Sequence, residues 1–510
     1  MAFLETIPDL FLGYNSVAAS ILILLLYPLS LVVYRSFFHP LRNIPGPFFA
    51  TVTKWYEFYQ DVILGGKFVK EFRSLHEKYG SIIRTGPNEV HVNDPEFYLE
   101  LYGNEARFPK DPSFYEVMGL SESLGFITNR KKHKYRHHIV KSLFSKASID
   151  GFSPIIEQTL SNVLSKASEA HRSKSSLDIQ QLYRCFTADI IMSFLFGKSM
   201  DLTTRQNLDN EFLDSMTMFS NRVNIAKQFP ILSRIALAIP EDWANTIAPG
   251  YVSFRRQCAQ WIKDVQESHK LGVLQTGVNG GSTLFDLFLQ ENEEKREQTI
   301  PMESLIDEAF SFSFAGNDTT SSALAHATYF ILTHPLAEKR LRDELGTVTR
   351  AEDQVLPFKS VSNLPFLSAI IQESLRLGTP TPARFPRIVP REGIYIKGQY
   401  IPPGTTISVV QRMVHDDPGI FPEPDKFVPD RWLGEKGKQL RRWHVSFSRG
   451  SRSCIGINLA YCELYVCLAN VFAKTHMTLD NTDEKSMEWL DKISSVNARH
   501  VCVKVDQFCA

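Results

Sequence analysis

Apolar positions change rhythm several times along the chain. Residues 17–34 are almost wholly apolar, about long enough to span a bilayer at ~1.5 Å per residue, with Pro28 to kink the run. Glu5 and Asp9 precede it, and no Lys or Arg occurs before Arg35. A cleavable leader would start basic, so the run reads as an uncleaved anchor. The basic flank of Arg35, His39 and Arg42 follows it and places the bulk of the chain on the cytosolic side. Prolines 40, 45 and 47 with Gly46 then make a stiff connector over 39–47. Phe68, Phe72, Leu75 and Tyr79 recur at helical spacing and stop at Gly80. Alternation around Gly86-Pro87-Asn88 predicts a hairpin over 82–92.

Irregular aromatic sequence fills 108–128, and a basic helix follows over 129–145. Residues 151–300 are mostly helical in pattern, with an apolar core stretch at 190–196 and an apolar patch over 229–240. Pro301, with Glu303, Asp307 and Glu308 near the positive end of the dipole, opens a long helix that reaches His334, about 50 Å. A helix over 364–377, short strands and turns over 380–410, and an apolar helix over 457–472 complete the pattern. The reading is mainly α with a small β region. It divides into an anchor over 1–35 and a single domain over 36–510.

The chain has 510 residues, and Lys plus Arg balances Asp plus Glu at 56 each. That balance gives no sign of nucleic-acid binding or of an acidic disordered tail. The seven cysteines include no Cys-x-x-Cys spacing, which argues against a zinc site or a disulfide scaffold and for a reducing compartment.

Four stretches carry chemistry. Residues 447–456 read Phe-Ser-Arg-Gly-Ser-Arg-Ser-Cys-Ile-Gly. They set Cys454 before a helix start, where backbone N–H groups favour a thiolate. Gly450 and Gly456 allow tight turns and the approach of a flat ligand. Arg452 is placed to meet a carboxylate. Mid-helix, Ala315-Gly316-Asn317-Asp318-Thr319-Thr320 spends poor helix formers. Thr319 can bond back one turn and open a local bulge, and Asp318 can supply protons. Glu373 and Arg376 share a helix face, which alone means only a surface pair. The segment Phe427-Val-Pro-Asp-Arg431-Trp432 lies downstream.

In this order the motifs resemble the cytochrome P450 family over about residues 40–505, and most closely its fungal secondary-metabolism members of the trichodiene-oxygenase type. The resemblance implies the helical, triangular P450 fold behind one N-terminal transmembrane helix. It implies haem b with Cys454 as axial ligand in the loop of Phe447, Gly450 and Gly456. Arg452, Arg387, His133 and His137 are the implied propionate contacts, with Arg384 as a second candidate. His137 stands where the family usually carries Arg, and Arg136 points about 100° away on a helix. Glu373, Arg376 and Arg431 become a buried scaffold network. Gly316, Asp318 and Thr319 become the oxygen-activation motif, with Gly316 leaving room for oxygen. The Asn-x-Thr pattern at Asn317 is then a false glycosylation match. Residues 108–128 become a lid, and 379–385 and 493–496 line the substrate pocket.

The activity implied is hydroxylation or epoxidation of an apolar small molecule, a terpenoid or polyketide intermediate, with Phe312 and Phe314 suggesting the apolar character. No Gly-x-Gly-x-x-Gly follows a strand, so electrons from NADPH must arrive through a separate protein. NADPH-cytochrome P450 reductase is the implied partner, with cytochrome b5 as a candidate second one. Basic residues over 129–145 and Lys436, Lys438, Arg441 and Arg442 offer docking charge. The implied location is the endoplasmic reticulum membrane, single-pass, with the domain facing the cytosol. A haem-thiolate isomerase or dehydratase without oxygen activation, and a non-enzymatic haem-binding membrane protein, stay open as alternatives.

Overall fold

The computed structural model describes residues 20, 22, 24, 26–116, 119–248, 250–271, 281–294, 299–348 and 355–509. The helices that position the site are α1 (Phe72–Tyr79), α2 (Pro95–Gly103), α3 (Arg130–Val140), α4 (Lys146–Ser173), α5 (Ile179–Phe196), α6 (Glu211–Gln228), α7 (Tyr251–Lys270), α8 (Met302–Thr333), α9 (Pro365–Gly378) and α10 (Ile457–Lys474). A mainly helical chain with small sheets is therefore observed. The apolar run expected to cross a membrane lies partly outside the described residues. Among the described residues no helix is long and apolar enough to cross a membrane.

Helix boundaries follow local chemistry. Gly80 ends α1 in a left-handed conformation at φ 96°. Asn129 caps α3 by accepting the N–H of Lys132 at 3.0 Å. In α5 every residue but Arg184 is buried, so this helix has no wet face and belongs to the core. It packs along α8. There Asn317, wholly buried, donates to the Arg184 carbonyl at 2.7 Å and to Thr187 Oγ1 at 3.1 Å, which rules its glycosylation pattern out. Tyr183 and Thr328 hydroxyls meet at 2.9 Å further along the same seam.

The hairpin forms as expected from β1 (Ile82–Gly86) and β2 (Glu89–Val92), with a register shift between Arg84 and Gly86. Two short strands, β3 (Arg387–Ile388) and β4 (Thr406–Ser408), complete a four-stranded sheet in the order β1-β2-β4-β3. Strand β2 runs parallel to β4, and β4 antiparallel to β3. Lys110 bridges to Arg387 at the β3 edge. That bridge brings a residue of the 108–128 segment beside a residue almost three hundred positions later.

Candidate active site

Cys454 lies between a short 3-10 turn, Gly450–Arg452, and the start of α10, whose N-cap is Gly456. Its N–H donates to the Phe447 carbonyl at 2.9 Å, closing the loop, and the Phe447 ring packs on Tyr461 at 5.2 Å. Gly450 has φ +73°, and a Cβ there would stand 2.5 Å from the Tyr102 carbonyl oxygen. Its requirement for glycine thus comes from the turn and from α2, not from a ligand. A Cβ at Gly456 would sit at an ordinary 3.8 Å from Cys454 Sγ.

The thiol of Cys454 is exposed by surface area, yet enough protein surrounds it for burial to push its pKa up, against a hydrogen bond from the Gly456 N–H. Both statements hold if the sulfur faces an internal space. Desolvation therefore outweighs the helix start, contrary to the expectation of a ready thiolate. A bound metal cation at the sulfur would reverse that balance, because a coordinating thiol is deprotonated.

Positive charge gathers where the loop that leads into Cys454 meets residues 105–127. Arg387, Lys110 and the side chain of Arg452 are buried within electrostatic reach of one another, and Glu105 is the carboxylate among them. Arg452 donates through Nε to Glu105 Oε1 at 2.6 Å and through Nη1 to the Ile127 carbonyl at 2.8 Å. Its buried Nη2 makes no hydrogen bond, although it lies 2.5 Å from the same carboxylate. Arg387 donates to Tyr115 Oη at 2.8 Å. Lys110 donates to the Gly125 carbonyl at 2.5 Å, and burial, then Arg452 and Arg387, push its ammonium well down. Two guanidinium groups and an amine share one carboxylate, so at least one buried positive charge is left uncompensated. That imbalance is costly unless an anion is bound. A haem with two propionates over a cysteine sulfur fits this donor set.

His133 is buried, and desolvation followed by Arg452 and Lys110 lowers its pKa to about 3. His137 is half-buried, with its ring centroid 5.8 Å from that of His133, and burial lowers it too. Both surroundings disfavour the charged form of the ring. Lys110 is the residue that sequence reasoning missed. It brings a buried amine to the Arg387–Arg452 cluster. Its one visible signal is a lone lysine between Pro109 and Asp111 in an otherwise aromatic, apolar stretch.

Arg384 does not join this group. It pairs with Glu57 at 2.9 Å and Glu89 at 2.6 Å. Arg136 pairs instead with Glu308 and Ser304. Arg376 makes a two-point contact with Glu373, each bond 2.8 Å, and Arg431 and Trp432 donate to the same carboxylate at 3.0 and 2.8 Å. Burial would raise Glu373, but Arg376 and then Arg431 hold it low. All three expected members of the scaffold network therefore meet around one carboxylate.

On α8, Ala315 is exposed in the middle of a helix whose neighbouring turns are buried, so this point opens on an internal space. Thr319 Oγ1 donates to the Ala315 carbonyl at 2.7 Å as expected, but α8 runs through as unbroken α-helix. No bulge forms there. Asp318 lies 3.5 Å from Arg184 of α5. Burial raises its carboxyl, and Arg184 opposes the rise. Gly316 needs correction. A Cβ there would stand 2.7 Å from Ile191 Cγ1 and Cδ1. The missing side chain serves the α5–α8 seam rather than an oxygen site. Phe312 stacks on Phe144 at 5.9 Å, and Phe314 meets Phe219 of α6 edge-on at 5.4 Å.

The family model described as Cytochrome P450 matches residues 45–499. The chain is 40% identical over 515 residues to a protein named Cytochrome P450 monooxygenase BOT1 of Botryotinia fuckeliana, covering 100% of both chains. It is 36% identical to Cytochrome P450 monooxygenase aneF of Aspergillus aculeatus, over 90% of this chain and 92% of that one. It is likewise 36% identical to Cytochrome P450 monooxygenase phqM of Penicillium fellutanum, over 91% and 87%.

Proposed function

We propose, from the premise that this chain belongs to the cytochrome P450 family and is a haem b monooxygenase, that it oxygenates an apolar terpenoid or polyketide intermediate of fungal secondary metabolism. The observation that carries the haem-site reading is the buried cluster of Arg387, Arg452 and Lys110 around one carboxylate, Glu105, in which Arg452 belongs to the loop that leads into Cys454. When bound, haem supplies oxygen activation, with electrons that start on NADPH and pass through a separate reductase.

The chain's own residues divide the remaining work. Cys454 Sγ would ligate the haem iron. Arg387, Arg452 and Lys110 would hold the propionates, and His133 would add a neutral N–H, with His137 beside it. Glu105 orients Arg452 through the 2.6 Å bond to Nε. The Glu373–Arg376–Arg431 network keeps the scaffold on the cysteine side rigid. Thr319 Oγ1 and the Asp318 carboxyl hold protons for the oxygen side, with Arg184 keeping Asp318 in place. Phe126, Phe144 and Phe312 keep water out and favour an apolar substrate.

An apolar patch supports the membrane part of the reading. Phe48, Phe49, Trp55, Tyr59 and Ile63 are exposed, as are Phe229, Ile231, Ile235, Trp243 and Ile247. Phe229 joins the two groups, with ring centroids 6.3 Å from Trp55 and 5.8 Å from Phe58. A patch of this kind is where a soluble domain rests on a bilayer. The domain over 36–510 then faces the cytosol from the endoplasmic reticulum, held by the anchor over 1–35. Exposed Arg130, Lys131, Lys134, Lys436 and Lys438 offer the reductase, and cytochrome b5, a charged landing surface.

The test is turnover. Membranes holding the full chain and a reductase are fed NADPH, labelled dioxygen and a panel of terpenoids and polyketides. One labelled oxygen in the product is expected. Thr319→Ala should keep haem but lower product per NADPH by roughly tenfold or more. Full coupling in that variant would remove Thr319 from proton delivery, and no oxygenated product from any panel member would reject the substrate class.

A further inference from the structure

We propose that Ser304, Asp307 and Glu308 are positioning residues that latch the 119–128 segment onto α8 and so fix the ceiling over the reacting face. This rests on reading the exposed Ala315 turn of α8 as that face.

The three side chains occupy one stripe of α8 at helical spacing, and all are buried. Glu308 Oε2 accepts the backbone N–H of Leu124 at 2.9 Å. Asp307 Oδ2 accepts the N–H of Glu122 at 3.2 Å. Ser304 Oγ donates to the Glu122 carbonyl at 3.0 Å. Each carboxylate is backed by an arginine from a different helix. Arg136 of α3 reaches Glu308 at 3.3 Å and Ser304 at 2.6 Å. Arg255 of α7 pairs with Asp307 and, at 2.5 Å, with Glu303. Burial pushes both carboxyls up, Glu308 to about 8, and the arginines oppose it.

Three carbonyls of the segment are held by cations and a phenol: Gly119, Gly125 and Ile127 accept from Tyr251, Lys110 and Arg452. The N–H groups of Ser123, Phe126 and Ile127 bond within the segment, to Leu120 and Ser123 carbonyls, so those of Glu122 and Leu124 are the ones that reach α8. The carboxylate end is independent of the haem clamp, whereas the carbonyl end shares Lys110 and Arg452 with it. Leu124 and Phe126 are apolar, and the latch sets their height above a helix whose Ala315 lies about two turns beyond Glu308. A buried carboxyl group at such a place is worth its desolvation only through its bonds, and leaving the buried Leu124 N–H without its acceptor changes a local opening equilibrium by roughly tenfold or more.

The test uses the full-length, haem-loaded protein and two probes of the iron, imidazole and a bulky N-substituted azole. Both are followed by their shift of the haem absorption. Glu308→Leu removes the acceptor, while Glu308→Gln keeps an oxygen for the Leu124 N–H. In Glu308→Leu the bulky azole should bind about tenfold faster or more, imidazole should be unchanged, and amide exchange over 122–127 should rise by a like factor. Glu308→Gln should stay within about threefold on both readouts. Unchanged exchange and unchanged azole rates in a haem-loaded Glu308→Leu would overturn the latch. Should that variant not load haem, Ser304→Ala is read the same way. Faster exchange at 122–124 is then expected, and none would overturn the proposal. A wild-type chain that takes up no haem would sink the haem reading, while exchange over 122–127 would still judge the latch.

Discussion

Ile191 explains why position 316 is glycine. The Cβ that any other residue would add meets two Ile191 carbons at 2.7 Å, so the helices would have to part. Gly316→Ala should cost about 1–3 kcal/mol by overpacking. Ile191→Ala opens that space, so denaturant titration of the double mutant should show the two changes offsetting one another by a good part of that amount. A loss of turnover in Gly316→Ala that Ile191→Ala does not relieve would instead return Gly316 to the oxygen site. The glycine was visible in the sequence as an anomaly in a helix, but its partner was not. Ile191 lies 125 positions away with no local mark. Lys110 and Arg184 stayed hidden for the same reason. Their roles come from Arg387 and Asp318, which reach them through a strand edge and a helix seam rather than through spacing.

Among helices and loops, legibility depended on how local the cause is. Pro301 and the acidic first turn predict the start of α8 within a residue, because capping acts within one turn. The hairpin at 82–92 follows from its turn residues, but not its register shift at Thr85, which depends on neighbouring packing. The Glu373–Arg376 pair was uninformative alone. It gained meaning only from the Arg431 segment, and the structure adds Trp432 Nε1, the Val428 N–H and three carbonyls that accept from Arg376. This joint ties α9 to the chain that leads into the cysteine loop. Glu373→Gln would strand two guanidinium groups around a neutral amide, a loss of about 3–5 kcal/mol. Against a total of about 5–15 kcal/mol, much of the protein should then fail to fold and load haem at 37 °C, read as haem absorbance per milligram of protein. Wild-type loading in Glu373→Gln would mean that the network is not what holds the cysteine side.

Across the molecule, zero net charge conceals a strongly uneven interior. Carboxyl groups of α8 face one end of the 119–128 segment, and Lys110 and Arg452 hold the other, with Arg387 in electrostatic reach of both. Composition could not show this, because the groups come from residues 105–136, 304–308, 387 and 452 and meet only when the chain is folded. The family was legible because its motifs are short and ordered along the chain. The charge balance of the site was not, because it is a property of what folding brings together. The central claim is that this interior holds haem with Cys454 as the thiolate ligand. Its most direct test is the absorption spectrum of the reduced, carbon-monoxide-saturated full-length protein beside that of Cys454→Ser. The red-shifted Soret band of thiolate ligation should appear in the first and vanish in the second. The same band in both proteins would contradict the claim.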